Sequence, residues 1–567
     1  MSVAEPSESV AQRLVRALVR HEVQVIFGQS LPSAVLLAAE AAGIRQVAYR
    51  QENAGGAMAD GYARISGRIS VVAAQNGPAA ALLVAPLAEA LKASVAIVAL
   101  VQDVDRGQTD RNAFQELDHD ALFRPCAKWV RRLSTADRVD DYVDMAFVAA
   151  GSGRPGPAVL LLPADLLREA APAARFARRQ CFARWPIDRS QPSVDLIRAA
   201  AQLLERAKYP VIIAGGGALS TGAAAALART QELAHLPVFT TNMGKGAVDE
   251  RHPLSCGVLG ALVGPRALGH YTRPLLDRAD VILLIGTRTN QNGTDSWRLI
   301  PSGARLIHID IDPTEIGRNY EAMRLVGDAA ETLAALAAEL GTRDLSIRRA
   351  ARAALEEEIL AAWTMFASVT KTFVEHDGSP IRPERVMAEL QRLLTSTMTV
   401  VADASYSSMW IVGQLRSIAP GMRFLTPRGI AGLGWGLPLA IGAKIARPAD
   451  AVVAVVGDGG FAHSWAELET LVRTKCGVTV IVLSNGVLGF QKDAEIVQFG
   501  AYTSACHFGA VDHAAIARAC GCQAARIVHA SALPAILAEA LSSGAPWLLD
   551  VITDPAAHPA LSLFGAA

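Results

Sequence analysis

The chain is punctuated by short, unbroken apolar runs, each ending in a glycine, a small polar residue or an acid. Ser70 to Ala74, Pro210 to Ala214, Val281 to Ile285, Met398 to Ala402, Ala451 to Val456 and Val478 to Leu483 are of this kind. Runs without polar alternation predict strands buried on both faces, as in parallel sheets. Shorter or more mixed runs at Val23 to Phe27, Gln46 to Arg50, Ala158 to Leu162 and Leu306 to Ile309 extend the series. Helical spacing fills the gaps. Val10 to His21 reads as one helix; further on, Trp465, Leu468, Leu471 and Val472 share a face while Glu467, Glu469 and Arg473 lie elsewhere. The alternation predicts an α/β fold of three doubly wound parallel-sheet domains. A linker rich in Ala, Arg and Pro (Ala171 to Pro192) and a charged helical connector (Arg348 to Glu358) place them at 1–175, 193–345 and 365–555. At 567 residues the chain is too long for one core.

The most informative stretch is Ala451 to Gly489. Its first run ends in Gly457-Asp458-Gly459-Gly460 and its second in Ser484-Asn485-Gly486. A βαβ unit brings both strand ends to one edge of the sheet, where open α/β sheets bind ligands. Asp458 and Asn485 then become neighbours. One carboxylate and one amide oxygen suit a Mg²⁺ ion that also holds phosphate oxygens. The flanking glycines let backbone N–H groups approach a phosphate. An Asp in such a turn can also simply cap the next helix; Asn485 on the neighbouring tip favours the metal.

Gly-Asp-Gly followed by this asparagine resembles the signature of thiamine diphosphate-dependent enzymes. From about Val10 to about Val551 the chain is similar to their acetolactate synthase (acetohydroxyacid synthase) branch. The resemblance implies that Asp458, the Asn485 side chain and the Val487 carbonyl ligate Mg²⁺, with Gly457, Gly459, Gly460, Leu488 and Gly489 around the cofactor's diphosphate. It makes Glu52, in Arg50-Gln51-Glu52-Asn53, the acid/base that hydrogen-bonds N1′ of the aminopyrimidine and so promotes loss of the thiazolium C2 proton. Without it, Glu52 need only complement a helix dipole. Asn76 falls in the turn beside the cofactor, Gln115 on the substrate side, and Phe114 and Lys128 near the mouth. Tyr406 and Ser407 stand where the family usually has Gln-His, and both keep hydroxyl donors for a diphosphate. Leu433, in Gly429 to Pro438, matches the residue wedged between the cofactor's rings. Glu52 would come from one subunit and Asp458, Asn485 and Leu433 from its partner, which implies a homodimer or homotetramer with active sites between subunits.

The likeness thins elsewhere. Gly215-Gly216-Gly217 is not the spaced dinucleotide fingerprint, and Thr287 to Thr294 departs from the synthases' Arg-Phe-Asp-Asp-Arg. FAD without redox work, another nucleotide, or no ligand all stay open for the central domain. Gln491 to Ile496 lacks the tryptophan that selects the acceptor in the synthases. Leu31 and Pro32 replace part of their Tyr-Pro-Gly-Gly turn, and the histidine pair of pyruvate-type decarboxylases is absent. The expected activity is a carboligase that decarboxylates a 2-oxo acid, with pyruvate the donor, and transfers the acyl unit to an acceptor. The alternatives are a 2-oxo acid decarboxylase or C–C lyase without ligation, and a non-catalytic nucleotide-binding paralogue. Glu52 occurring together with Asp458 and Asn485 speaks against the last.

Composition narrows the class further. Lys+Arg and Asp+Glu balance at 54 each, so nothing points to a nucleic-acid partner. Glu89, Lys92 and Lys444 interrupt the longest apolar passages, so no membrane span is expected. From Ser7 the chain reads as an amphipathic helix rather than a secretory leader. Seven dispersed cysteines, Cys520 and Cys522 among them, predict buried free thiols rather than a disulfide framework. The expectation is a cytoplasmic enzyme acting on small molecules.

Overall fold

The computed structural model describes residues 8–173 and 176–564. Ser7, where the amphipathic pattern begins, and linker residues 174 and 175 lie outside the described residues. Three six-stranded sheets, every pairing parallel between their strands, form the frame. In the first the order is Arg45–Val47, Val25–Phe27, Ser70–Ala74, Ile97–Asp103, Pro157–Pro163, Trp129–Arg132. The third repeats that order with Arg423–Leu425, Thr399–Ala402, Val452–Gly457, Val478–Ser484, Trp547–Ile552 and Gln523–Ile527. The second runs Met323–Val326, Arg305–Asp310, Val281–Ile285, Pro210–Ala214, Val238–Thr240, Ser255–Val258. Its sequence order reverses between Pro210–Ala214 and Val281–Ile285, the switch point of a doubly wound sheet.

The chain divides into two compact units. One comprises Met1–Asp188, Pro427–Ala449 and Ser464–Cys476; the other comprises Arg189–Thr426, Asp450–His463 and Gly477–Ala567. Two crossover helices of the third sheet, Gly436–Ala446 and Glu467–Arg473, therefore belong to the first unit.

Local signals set the element boundaries. Ser9 caps the helix Val10–Arg20 through a capping box with Gln12, and Val10, Leu14, Ala17 and Leu18 are buried on one face. The small-residue helix Glu52–Ser66 packs on Gly436–Ala446 at backbone distance. A methyl group on Gly61 would overlap the Leu439 carbonyl, and one on Gly442 the Met58 carbonyl. The connector expected at Arg348 to Glu358 is a helix of 29 residues, Ser346–Val374. Its extension follows from Ile359, Ala362, Phe366 and Thr370, which bury one continuous stripe.

Two expectations need correction. Glu467, assigned to the polar side of its helix, is buried. Of the seven cysteines, Cys181 is exposed and Cys520 half-buried, because neither lies within a strand or helix that a core covers.

Candidate active site

In the first unit, Glu52 opens the helix Glu52–Ser66 and is half-buried. The approach to it is held from several sides. Tyr49 donates its hydroxyl to Ala73 O at 2.7 Å, and Gln29 donates to Tyr49 O at 2.6 Å. The Glu467 carboxylate accepts the N–H groups of Arg50 at 3.0 Å and Gln51 at 3.2 Å. Asn53, the next residue along, accepts the indole N–H of Trp435 at 2.8 Å.

The turn after the strand Ser70–Ala74 gathers three amides. Gln75 donates to the Gln115 side-chain oxygen at 2.8 Å, and Asn76 donates to the carbonyls of Phe114 at 3.3 Å and Gln115 at 3.1 Å. Gln115 itself has φ 60°. Gly77 donates to His119 Nε2 at 2.9 Å, which leaves His119 Nδ1–H to donate to Asp103 at 3.2 Å. Gln115 and Asn76 are thus brought together as one amide-lined wall. Phe114 is 83% exposed beside it. Lys128 is turned to the Ser152 carbonyl at 2.9 Å.

Half-buried Leu433 follows a loop tied down by Glu89. That buried carboxylate accepts N–H groups from Gly429 at 2.6 Å, Ile430 at 2.7 Å and Ala431 at 3.2 Å. Arg64, bonded to Asp60, lies 3.8 Å from the same carboxylate.

In the second unit, the strands Val452–Gly457 and Val478–Ser484 pair side by side, with Gly457 opposite Leu483. Their tips therefore meet. Asp458 Oδ2 accepts the N–H groups of Asn485 at 3.1 Å and Gly486 at 2.6 Å, and Oδ1 accepts Gly459 N–H at 2.9 Å. Asn485 Oδ1 accepts Val487 N–H at 3.1 Å. Burial raises the Asp458 carboxyl above its ordinary range, against the lowering effect of those N–H groups. Asp458 Oδ1 and Asn485 Oδ1 each accept one N–H and keep a lone pair beyond that bond, whereas Asp458 Oδ2 accepts two. One carboxylate, one amide oxygen and a backbone carbonyl at Val487 make an all-oxygen donor set of the kind Mg²⁺ takes. Among the described residues no group of three or more His, Cys, Asp and Glu is placed to hold a metal.

Around this tip, Leu488 precedes the helix Gly489–Phe499, and the Tyr406 ring packs over Gly489. The Tyr406 hydroxyl donates to Asp493 at 2.6 Å. Ser407 donates to the Asp403 carbonyl at 3.1 Å and the Ala404 carbonyl at 2.9 Å. Both hydroxyls are engaged within the chain. Behind Asn485, Ser484, His513 and Asp550 form a buried polar cluster. Burial opposes ionisation of Asp550, but bonds from His513 and Ser484 outweigh it and hold the carboxyl below its ordinary range. Sequence reading missed Glu467, Glu89 and this cluster. Only an acid amid helix-forming apolar residues, as at Glu89, hinted at them.

A half-buried carboxylate opening a helix in one unit, and a tip of oxygen acceptors among glycines in the other, are what a class of enzyme with a diphosphate cofactor requires. The chain belongs to the thiamine pyrophosphate enzyme family: residues 8–122 match its N-terminal TPP binding domain, 197–336 its central domain and 403–551 its C-terminal TPP binding domain. Within that family it is similar to acetolactate synthase large subunits. It is 31% identical over 566 residues to the probable acetolactate synthase large subunit of Methanococcus aeolicus, covering 96% of this chain and 92% of that protein. The acetolactate synthase isozyme 3 large subunit of Escherichia coli is 31% identical over 571 residues, covering 97% and 96%. No helix among the described residues is long and apolar enough to cross a membrane.

Proposed function

We propose that the chain is an acetolactate-synthase-like carboligase that decarboxylates a 2-oxo acid, pyruvate in the first instance, and passes the acyl unit to an acceptor. The observation that carries this reading is the end-to-end similarity to synthase large subunits, 96% of the chain in the M. aeolicus comparison. We assign the three domains to 1–175, 193–345 and 365–555. When bound, thiamine diphosphate supplies the carbon nucleophile and electron sink that decarboxylation of a 2-oxo acid requires.

The chain's own residues divide the remaining work. Glu52 holds and moves a proton at N1′ of the aminopyrimidine. Asp458, Asn485 and the Val487 carbonyl hold Mg²⁺, and Gly457, Gly459, Gly460, Leu488 and Gly489 surround the diphosphate. Leu433 would pack against the bound cofactor and help to preorganise it. Asn76 and Gln115 orient substrate. The assembly is a homodimer or homotetramer with active sites between subunits. FAD, if held, lies at the central switch point, where Gly217 N–H bonds Gly286 O at 3.0 Å; no step uses it.

One observation favours a decarboxylase or C–C lyase as the second reading. The Tyr406–Asp493 bond sets a carboxylate on the helix where the synthases carry their acceptor-selecting tryptophan. Purified protein with pyruvate, Mg²⁺ and thiamine diphosphate separates the two. Acetolactate supports the carboligase, acetaldehyde supports the second reading, and no turnover refutes pyruvate as donor.

A further inference from the structure

Glu467 has no role in the scheme above, yet its placement is unusual for a charged residue. It begins the helix Glu467–Arg473 and is only 1% exposed. Burial raises its carboxyl above the ordinary range, a cost that buried polar groups offset only through hydrogen bonds. Three donors provide them. Oε1 accepts the backbone N–H groups of Arg50 and Gln51 at 3.0 and 3.2 Å, and Oε2 accepts the Thr470 hydroxyl at 2.7 Å. Arg473, at the other end of the same helix, donates to Ala48 O at 2.6 Å. The same short helix therefore grips the segment Ala48 to Gln51 at three backbone groups.

That segment leads straight into Glu52. Its helix has no side-chain cap of its own: Gln51 stands at the N-cap in extended conformation, φ −142° and ψ 140°, without a side-chain bond to the helix. The backbone direction from which the Glu52 side chain departs is fixed instead by a carboxylate more than 400 residues away in sequence. On the other side, Trp435 holds Asn53.

We propose that Glu467 is a positioning residue for Glu52: it anchors the Arg50–Gln51 backbone so that the Glu52 carboxylate meets its proton partner in register. It acts through the backbone and without touching substrate or cofactor. The inference rests on the reading of Glu52 as the proton-handling carboxylate.

Four variants and two measurements test it. Amide hydrogen exchange of the peptide around Ala48 to Ala54 is read in the protein without cofactor. Exchange of the thiamine diphosphate C2 proton for deuterium is read with Mg²⁺ present. Glu467→Ala is expected to speed amide exchange in that peptide about ten-fold or more, with the rest of the first unit unchanged. It is expected to slow C2 exchange about 10²-fold, the loss that a misplacement of about 1 Å brings. Glu467→Gln, whose amide oxygen still accepts both N–H groups, restores most of both. Should the alanine variant fail to fold, Glu467→Asp carries the same test, because its shorter reach loosens the anchor. Unchanged C2 exchange in Glu467→Ala, or in Glu467→Asp where that stands in, overturns the proposal, as does a glutamine variant as impaired as alanine. Glu52→Gln, run in parallel, keeps the failures apart: if it exchanges C2 at the wild-type rate, the reading of Glu52 falls and the positioning role falls with it.

Discussion

Gly77→Ala is the sharpest structural perturbation of the amide-lined wall. Gly77, the N-cap of the helix Pro78–Ala93, has φ 63° and ψ −117°, a positive-φ conformation that side-chain-bearing residues adopt at a cost of about 1–3 kcal/mol. The added methyl would also lie 2.7 Å from Gln115 Cβ and 2.9 Å from its carbonyl oxygen. Forcing such crowding into packed structure costs about 1–3 kcal/mol more. Together these predict destabilisation of about 2–6 kcal/mol, and thus a fall in Tm of about 4 °C or more. The assay is thermal unfolding at one scan rate, paired with amide exchange over residues 112–117, which should quicken as Gln115 is pushed away. Gly303→Ala, where nothing lies within 4 Å, is the control and should shift stability by less than about 0.5 kcal/mol. If Gly77→Ala melts with the control, the account of how Gln115 is held is wrong.

The remaining predictions concern other buried charges. Removing Glu89 by substitution with alanine strands three backbone N–H groups and takes away a carboxylate 3.8 Å from Arg64; it should cost about 3 kcal/mol or more and expose the 429–433 loop to limited proteolysis, and an uncleaved loop would contradict this. Burial lowers the His308 imidazole to about 4 from 6.5, outweighing its bond to the Thr287 carbonyl. The unfolded chain therefore binds more protons between those values, so this group's contribution is complete above about pH 6.5 and is lost as pH falls toward 4. Its size is on the order of 3 kcal/mol; comparing urea midpoints across that window, His308→Gln should flatten the dependence, and an unaltered slope would refute it.

Much of the frame is readable from sequence because a strand covered on both faces must be apolar throughout. The strands Ser70–Ala74, Pro210–Ala214 and Val281–Ile285 coincide with their apolar runs. Strands toward one edge of the first sheet were less legible: Val25–Phe27 and the edge strand Arg45–Val47 are shorter than the runs that announced them, because pairing, and not composition, ends them. The meeting of Asp458 with the Asn485 turn followed from βαβ geometry alone. What local pattern could not convey was long-range polar pairing. Glu467 carries the spacing of a solvated residue, and only its distant partners at Arg50 and Gln51 explain why it is inside. Tyr406 was legible as a hydroxyl donor, but its acceptor, Asp493, lies on a helix whose approach no periodicity announces.

The central claim is that Asp458 and Asn485 hold a divalent ion which tethers the cofactor's diphosphate. Titration calorimetry of thiamine diphosphate, with and without Mg²⁺, on the wild type and Asp458→Ala tests it most directly. The account predicts binding to the wild type that depends on Mg²⁺ and is abolished in the variant. Equal affinity in both proteins, or wild-type binding indifferent to Mg²⁺, would contradict it.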